Sequence, residues 1–468
     1  MFTHLDPLPG GISLKTLKLA AVLGSVATLW LVGFQLRAHA DQAGAAAVPT
    51  FTKDVAPILY KNCTACHRPG EIGPMSLLTY EDARPHAGDM RDEVMAGHMP
   101  PWHSDAKPGT FLNDRRLSEQ DKLTIKKWAD AGAPRGDMKD MPAAPKYSNG
   151  WSIGTPDVVY TMPDAYPVPA SGEIEYQYFE VPTNLTEDKW VQAIEIRPEV
   201  RAVVHHVLVY ARDGAPVTPP RPRALIQRAD LAFANRPPAP QVPGAPPRNT
   251  PRGPLGSLIA TTAPGTNAMV FRPGTALRLT AGTVLTFQLH YTSNGTAAKD
   301  KSSVGMVFAK AAPDDEIRVS QFVNGKLVLP AGAADVKIDS ELGFSEDVHV
   351  YGLFPHTHLR GKRWEYRLVY PDGRIEPLMA VPTYDFNWQT YYMFATPLAI
   401  QAGVKIQASA WYDNSAKNPS NPDPKVDVKW GDQTWEEMQY TGITYTVDSA
   451  HKTSGHLAIG ASIIGRKQ

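Results

Sequence analysis

Cysteine is nearly absent from this chain: 468 residues contain two, Cys63 and Cys66. A disulfide framework therefore cannot hold the larger part of the molecule together, and packing alone must do so. An excess of one charge is also missing. The 47 basic residues balance 47 acidic ones, so nothing in the charge points to nucleic acid or to an anionic membrane surface. No internal repeat of fixed short period is visible. Long helical periodicity is scarce after residue 135, and the chain carries 43 prolines, which favours strands and loops for the larger part. The apolar share of 43% is that of a soluble globular protein, and the length allows two or three domains.

The two cysteines stand together in "NCTACHRPG", residues 62 to 70, with His67 directly behind them. C-x-x-C-H is the attachment signature of a c-type haem, in which both thiols bond to the haem and the histidine ligates iron. A redox C-x-x-C pair would want a βαβ context that is not visible. A zinc site would need further close ligands, and a disulfide across two intervening residues is strained. Haem c is attached outside the cytoplasm, so an export signal is expected. Lys15 and Lys18 precede an apolar run from Leu19 to Phe34, and "AHA" at 38 to 40 offers a cleavage site before Asp41. Residues 1–40 read as a signal peptide, and an uncleaved anchor is the alternative; stable membrane association is expected only in that case. The predicted location is periplasmic.

Residues 50–140 read as a small all-α domain. "FTKDVAPILYKN" places Phe51, Val55, Ile58 and Leu59 on one helical face ahead of the haem motif. "LSEQDKLTIKKWADAG" gives a closing helix, with Ser118 and Asp121 at its start and Gly132 and Pro134 at its stop. Helix, CxxCH, loop and closing helix resemble a class I cytochrome c. Met75, Met90, Met95, Met99, His86, His98 and His103 all follow the motif as candidate sixth ligands to iron. Met99 is favoured because Pro100 and Pro101 fix an extended chain after it; simple packing is the plain alternative for any of these methionines. Residues 136 to 150, polar and rich in Pro and Gly, read as a linker short enough to tether this domain and polar enough to let it move.

Beyond residue 150 the chain reads as strands separated by turns, among them "AVVHHVLVYAR", "TVLTFQLHY" and "EYRLVYPDGRIEPL", the last a hairpin around Pro-Asp-Gly. The Pro- and Arg-rich stretch from Gly214 to Gly256 reads as a surface insertion, within which "RALIQRADLAFA" could form a short helix. Histidines fall in three places. His356 and His358 are two apart, so an extended backbone points both to one side, as two ligands of one metal require. His205 and His206 are adjacent and would diverge in a regular strand, so a shared metal demands a distorted backbone. His290 lies opposite Leu285, Phe287 and Leu289, which leaves it a ligand or surface role rather than a core one.

Taken in order, His-His, then "QLHY", then "HTH", then Met438 in "WEEMQY" resemble the copper type II monooxygenases, which include peptidylglycine α-hydroxylating and dopamine β-monooxygenase. The resemblance spans about residues 155 to 450. It implies two jelly-roll-like β-sandwich domains, expected at 150–325 and 326–460. His205, His206 and His290 would then hold a copper that stores and passes an electron, and His356, His358 and Met438 a copper that meets oxygen. Imidazole suits copper, and a thioether favours its reduced state. Zinc on the three histidines would fit the count but supplies no electrons. A cupin-like iron site would want a carboxylate closer than Glu365. Phe354, Tyr440 and Gly442 stand where the amidating enzyme binds its peptide carboxylate, so an apolar or aromatic substrate is expected instead.

The expected protein is thus multidomain, a small all-α cytochrome c domain followed by two all-β sandwich domains. It would carry one covalent haem c and two copper ions. It would hydroxylate a C–H bond of a small organic substrate with O₂, with electrons from its own haem or from an outside donor such as ascorbate or a periplasmic redox protein. A periplasmic haem and copper electron-transfer or copper-binding protein without hydroxylase activity is the competing reading.

Overall fold

The computed structural model describes residues 48–69, 71, 73–147, 150–212, 255–263, 268–431 and 433–448. The leader at 1–40, the helix expected within 223–234 and the last residues of the expected C-terminal domain lie outside the described residues.

The N-terminal unit is helical. A π-helical turn, Phe51–Val55, runs into the α-helix Ala56–Asn62, which delivers the chain to Cys63. The closing helix is Glu119–Asp130, and the Ser118 hydroxyl accepts the Asp121 N–H at 3.1 Å to cap it. Phe51, Val55, Ile58 and Leu59 are buried against Ile125 and Trp128, the face that the periodicity specifies. The stretch expected as loop between these helices carries two more, Tyr80–Ala83 and Ala87–Ala96. Met90 and Val94, one turn apart, supply the buried face of the longer one.

Two β-sandwiches follow, and they share a sheet. In the first, Gln177–Pro182, Val284–Tyr291, Val204–Arg212 and Ser257–Thr262 form a four-stranded sheet in that spatial order. Its apolar face, with Leu285, Phe287 and Leu289, packs on Val191, Ile194, Leu277 and Met306 of a nine-stranded sheet. In the second, Val336–Gly343, Lys405–Tyr412, Gly361–Val369 and Ile375–Val381 form the small sheet. They pack on Val348–His356, Tyr392–Ile400 and Tyr440–Val447 of the same nine-stranded sheet. Strand Asp315–Val323 makes the join, parallel to Thr275–Leu279 at one end and antiparallel to Tyr440–Val447 at the other. The Pro-Asp-Gly hairpin forms between Gly361–Val369 and Ile375–Val381, with Gly373 at φ 88°.

The helical unit is built into this frame. Trp102 and Phe111 are buried in the core of the second sandwich with Tyr392 and Phe394. Leu112 N–H donates to Met393 O and Ala395 N–H to Thr110 O, each at 2.8 Å, so the segment pairs with the edge of the large sheet. The stretch expected as a mobile linker is pinned at its end. Tyr147 bonds the Thr64 hydroxyl, the Arg68 guanidinium lies 4.1 Å over the Tyr147 ring, and Glu71 meets Arg201 at 3.5 Å. Polar composition suggested freedom, but Trp102 and Phe111 ahead of the linker and Tyr147 at its end hold the unit in place.

Candidate metal centre

Strands Val204–Arg212 and Val284–Tyr291 pair with a register shift, Val204 opposite Tyr291 and His206 opposite His290. His205 is the extra residue of a β-bulge. This is the distortion that two adjacent histidines need to share a metal. One ring nitrogen from each of His205, His206 and His290 lies within 4.8 Å of the others. The Nδ1 atoms of His205 and His206 are 3.2 Å apart, close to the about 3.3 Å expected of two imidazoles bound tetrahedrally to one ion at about 2.0–2.1 Å. His290 Nε2 meets the Thr434 hydroxyl at 3.1 Å. His290 Nδ1 and His205 Nε2 are buried without a hydrogen-bond partner. The orphaned His290 Nδ1 fits a donor set completed by the two close Nδ1 atoms of His205 and His206, since each ring offers one nitrogen to one ion. Burial pulls the His205 pKa down to about 4. It holds those of His206 and His290 well below the usual range, with the neighbouring histidines adding to the effect. All three are therefore neutral, the form that binds metal. The polar face of Val284–Tyr291 is not a surface: Thr286, Gln288 and His290 are all buried.

His356 ends strand Val348–His356, and His358 follows in the turn before Gly361–Val369. Each Nδ1 has an oxygen partner, His356 on Gln389 Oε1 at 2.8 Å and His358 on the Glu436 carbonyl at 3.0 Å. An Nδ1–H donated in this way leaves Nε2 as the ligand atom. Burial draws His356 down to about 4. Glu437 ties the segment to Met438: its carboxylate accepts the backbone N–H groups of His358 at 2.8 Å, Arg360 at 2.7 Å and Met438 at 3.1 Å. Burial raises the Glu437 pKa to about 7 against those three bonds and the Arg360 charge, which lower it. His356, His358 and Met438 are 7%, 1% and 8% exposed. The two histidine sets adjoin, with His206 and His356 ring centres 6.3 Å apart. Phe386 sits among them, stacked on His205 at 4.7 Å and 6.0 Å from His358. His349 stands apart, paired with Asp448. Phe386, Gln389 and Glu437 were not singled out from the sequence. Only the acidic pair before Met438 gave any local sign of Glu437.

In the helical unit, Cys63 and Cys66 follow the helix, both half-buried. Burial pushes the Cys63 thiol up to about 12. His67 packs so closely on Gly73 that any Cβ there would lie 2.8 Å from its Nδ1. Met75 and Met99 pack against the helical core, as Cys63 does, Met90 lies within that core, and Met95 is exposed. His86 and His98 face acidic neighbours on the surface.

Residues 333–448 match the family model for the copper type II ascorbate-dependent monooxygenase, C-terminal domain. The match covers the second sandwich, including His356, His358 and Met438; the first sandwich and the helical unit lie outside it. That sandwich is therefore similar to an oxidoreductase domain that uses copper. No curated protein matches the chain. Among solved structures, the major capsid protein P2 from bacteriophage PM2 is 10% identical with a TM-score of 0.28, covering 62% of this chain and 97% of its own. The infectious bursal disease virus Gt strain structure is 10% identical with a TM-score of 0.17, covering 69% and 76%. At these scores the likeness carries no argument.

Proposed function

We propose that this protein is an exported copper-dependent monooxygenase. It hydroxylates a C–H bond of a small apolar molecule with O₂, with electrons supplied or relayed by a haem c on Cys63, Cys66 and His67. The observation that carries the reading is the abutment of two buried histidine sets, one of them within a domain similar to a copper monooxygenase. His205, His206 and His290 would hold one copper, and His356, His358 and Met438 the other. Copper bound there supplies one-electron redox chemistry and activation of oxygen. The protein's own groups orient the rings through Gln389, the Glu436 carbonyl and Thr434, and exclude water by burial. In the helical unit, Met99 is the proposed sixth haem ligand.

The substrate class follows the expectation from the sequence and is supported by an apolar seam between the sandwiches, where Leu258, Ile259, Val319, Phe354, Tyr391 and Ile443 meet with no charged side chain among the described residues. Phe354 stacks between His356 and Tyr391, at 6.0 and 6.3 Å. A charged group brought against these side chains would lose its hydration without a partner, which favours an uncharged apolar or aromatic molecule. The test is metal content followed by oxygen uptake after reduction, across a panel of small apolar compounds. Two coppers, one haem and substrate-dependent oxygen uptake support the reading. Stoichiometric zinc or iron at both histidine sets would sink it. The 6.3 Å approach of His206 to His356 also suits a copper electron-transfer protein; two coppers with no substrate-dependent uptake would favour that instead.

A further inference from the structure

Strands Ile375–Val381 and Tyr392–Ile400 belong to different sheets of the second sandwich, and the connection between them passes over both histidine sets. The Tyr384 hydroxyl donates to Thr357 O at 3.0 Å and accepts the Thr357 N–H at 3.2 Å, holding the residue between His356 and His358. Phe386 stacks on His205, with ring planes 16° apart, and reaches within 6.2 Å of His290. Gln389 accepts from His356 and donates to Phe386 O at 3.2 Å, so the two contacts are linked within the loop. Asp385 braces the turn by accepting from Asn387 N and Nδ2. One loop thus touches both sets of proposed ligands.

Both ends of this loop are clamped by a segment of the helical unit. On the incoming strand, Asp105 N–H donates to Ala380 O at 3.2 Å, and Ala380 N–H donates to the Asp105 carboxylate at 3.1 Å. On the outgoing side, Asn113 Nδ2 donates to Tyr391 O at 2.6 Å, and Asn113 Oδ1 accepts the Met393 N–H at 3.1 Å. Trp102, just ahead of the first clasp, and Phe111, between the two, pack on Tyr392 in the core. The stretch follows shortly after Met99, which packs against the helical core as Cys63 does.

From these contacts we infer that the Trp102–Asn113 strap is a positioning device for the metal centre: it fixes the Tyr384–Gln389 loop, and the loop sets the rings of His205 and His356. The helical unit is then an integral part of both sites rather than an appended carrier. A loop anchored only at its own strand ends would sample several conformations. Side chains that orient ligand imidazoles must be held by their surroundings to be effective. Phe386, Gln389 and Asn113 are positioning residues in this scheme, since none is a metal-ligand side chain in the proposed sets.

The inference rests on the copper reading for its functional meaning, and the experiment separates the two. Full-length protein is compared with Asn113→Ala, Phe386→Leu, Gln389→Ala and Gln389→Glu, each checked for intact folding by circular dichroism. Amide hydrogen exchange across residues 382–391 reads the loop without any metal. Copper titration and the Cu(II) electron paramagnetic resonance spectrum read the sites. Exchange in the loop rises in Asn113→Ala, and copper affinity falls roughly threefold or more although the substitution touches no ligand. Gln389→Ala weakens the His356 site by about 10–100-fold, and Gln389→Glu, which keeps an acceptor, restores most of it. Phe386→Leu shifts the spectrum of the three-histidine copper. Wild-type exchange, affinity and spectra in both Asn113→Ala and Phe386→Leu overturn the inference. If wild-type protein binds no copper, the functional reading fails, and loop exchange in Asn113→Ala alone decides whether the strap positions the loop.

Discussion

His205 owes its place to one extra residue in a strand. Without the bulge, adjacent histidines would face opposite sides of the sheet, and only His206 would meet His290. Replacing His290 with alanine removes a donor whose partners are already neutral. We expect His290→Ala to lose one of two coppers and keep the other, read as metal per protein. Met438→Ala should abolish oxygen-dependent turnover while the copper on His205, His206 and His290 stays bound; wild-type activity would remove Met438 from the site. Glu437 presents a different case, since its role is structural. Glu437→Ala strips the partner from three buried backbone N–H groups and removes one of the two carboxylates, with Asp423, that offset the buried Arg360 charge. A loss of about 3–5 kcal/mol in denaturant unfolding is expected, and less for Glu437→Gln, which retains an acceptor oxygen.

Among the elements, those that declare themselves locally were legible. The Glu119–Asp130 helix has its cap and its glycine stop in adjacent sequence, and the Val284–Tyr291 and Gly361–Val369 strands alternate or carry a turn signal. The histidines were legible as residue types at suggestive spacings; that His205, His206 and His290 converge is a property of strand pairing across a long separation in sequence. The loop carrying Phe386 and Gln389 gives no signal, because its meaning lies in contacts with residues far away along the chain. The strap gives no signal for the same reason. Trp102 and Phe111 sit among Pro, Gly and Asp residues and look like part of a loop, yet they complete the core of a sandwich that begins more than two hundred residues later. Phe111→Ala should cost about 3–5 kcal/mol and expose the edge of Tyr392–Ile400. Faster hydrogen exchange at Met393 and Ala395 would report it.

The shared nine-stranded sheet makes the two sandwiches one frame, and the docked strap adds the helical unit to it. This changes what the proposed haem should do. A domain on a free tether would meet its acceptor by diffusion at an effective concentration that depends on linker length. A docked one has a fixed path. Residues 141–146 connect the helical unit to Tyr147 and the first sandwich, whereas the strap and the Glu71–Arg201 contact hold the unit in place. Inserting a flexible Gly-Ser segment at 143–145 therefore tests the two pictures directly. The docked arrangement predicts that haem oxidation, followed by absorbance after mixing reduced protein with oxygen and substrate, keeps its wild-type rate. It predicts that Phe111→Ala slows the same phase, because that change loosens the dock without altering the linker. A rate that falls as the linker grows, and that ignores Phe111→Ala, would mean that the unit works as a tethered carrier after all.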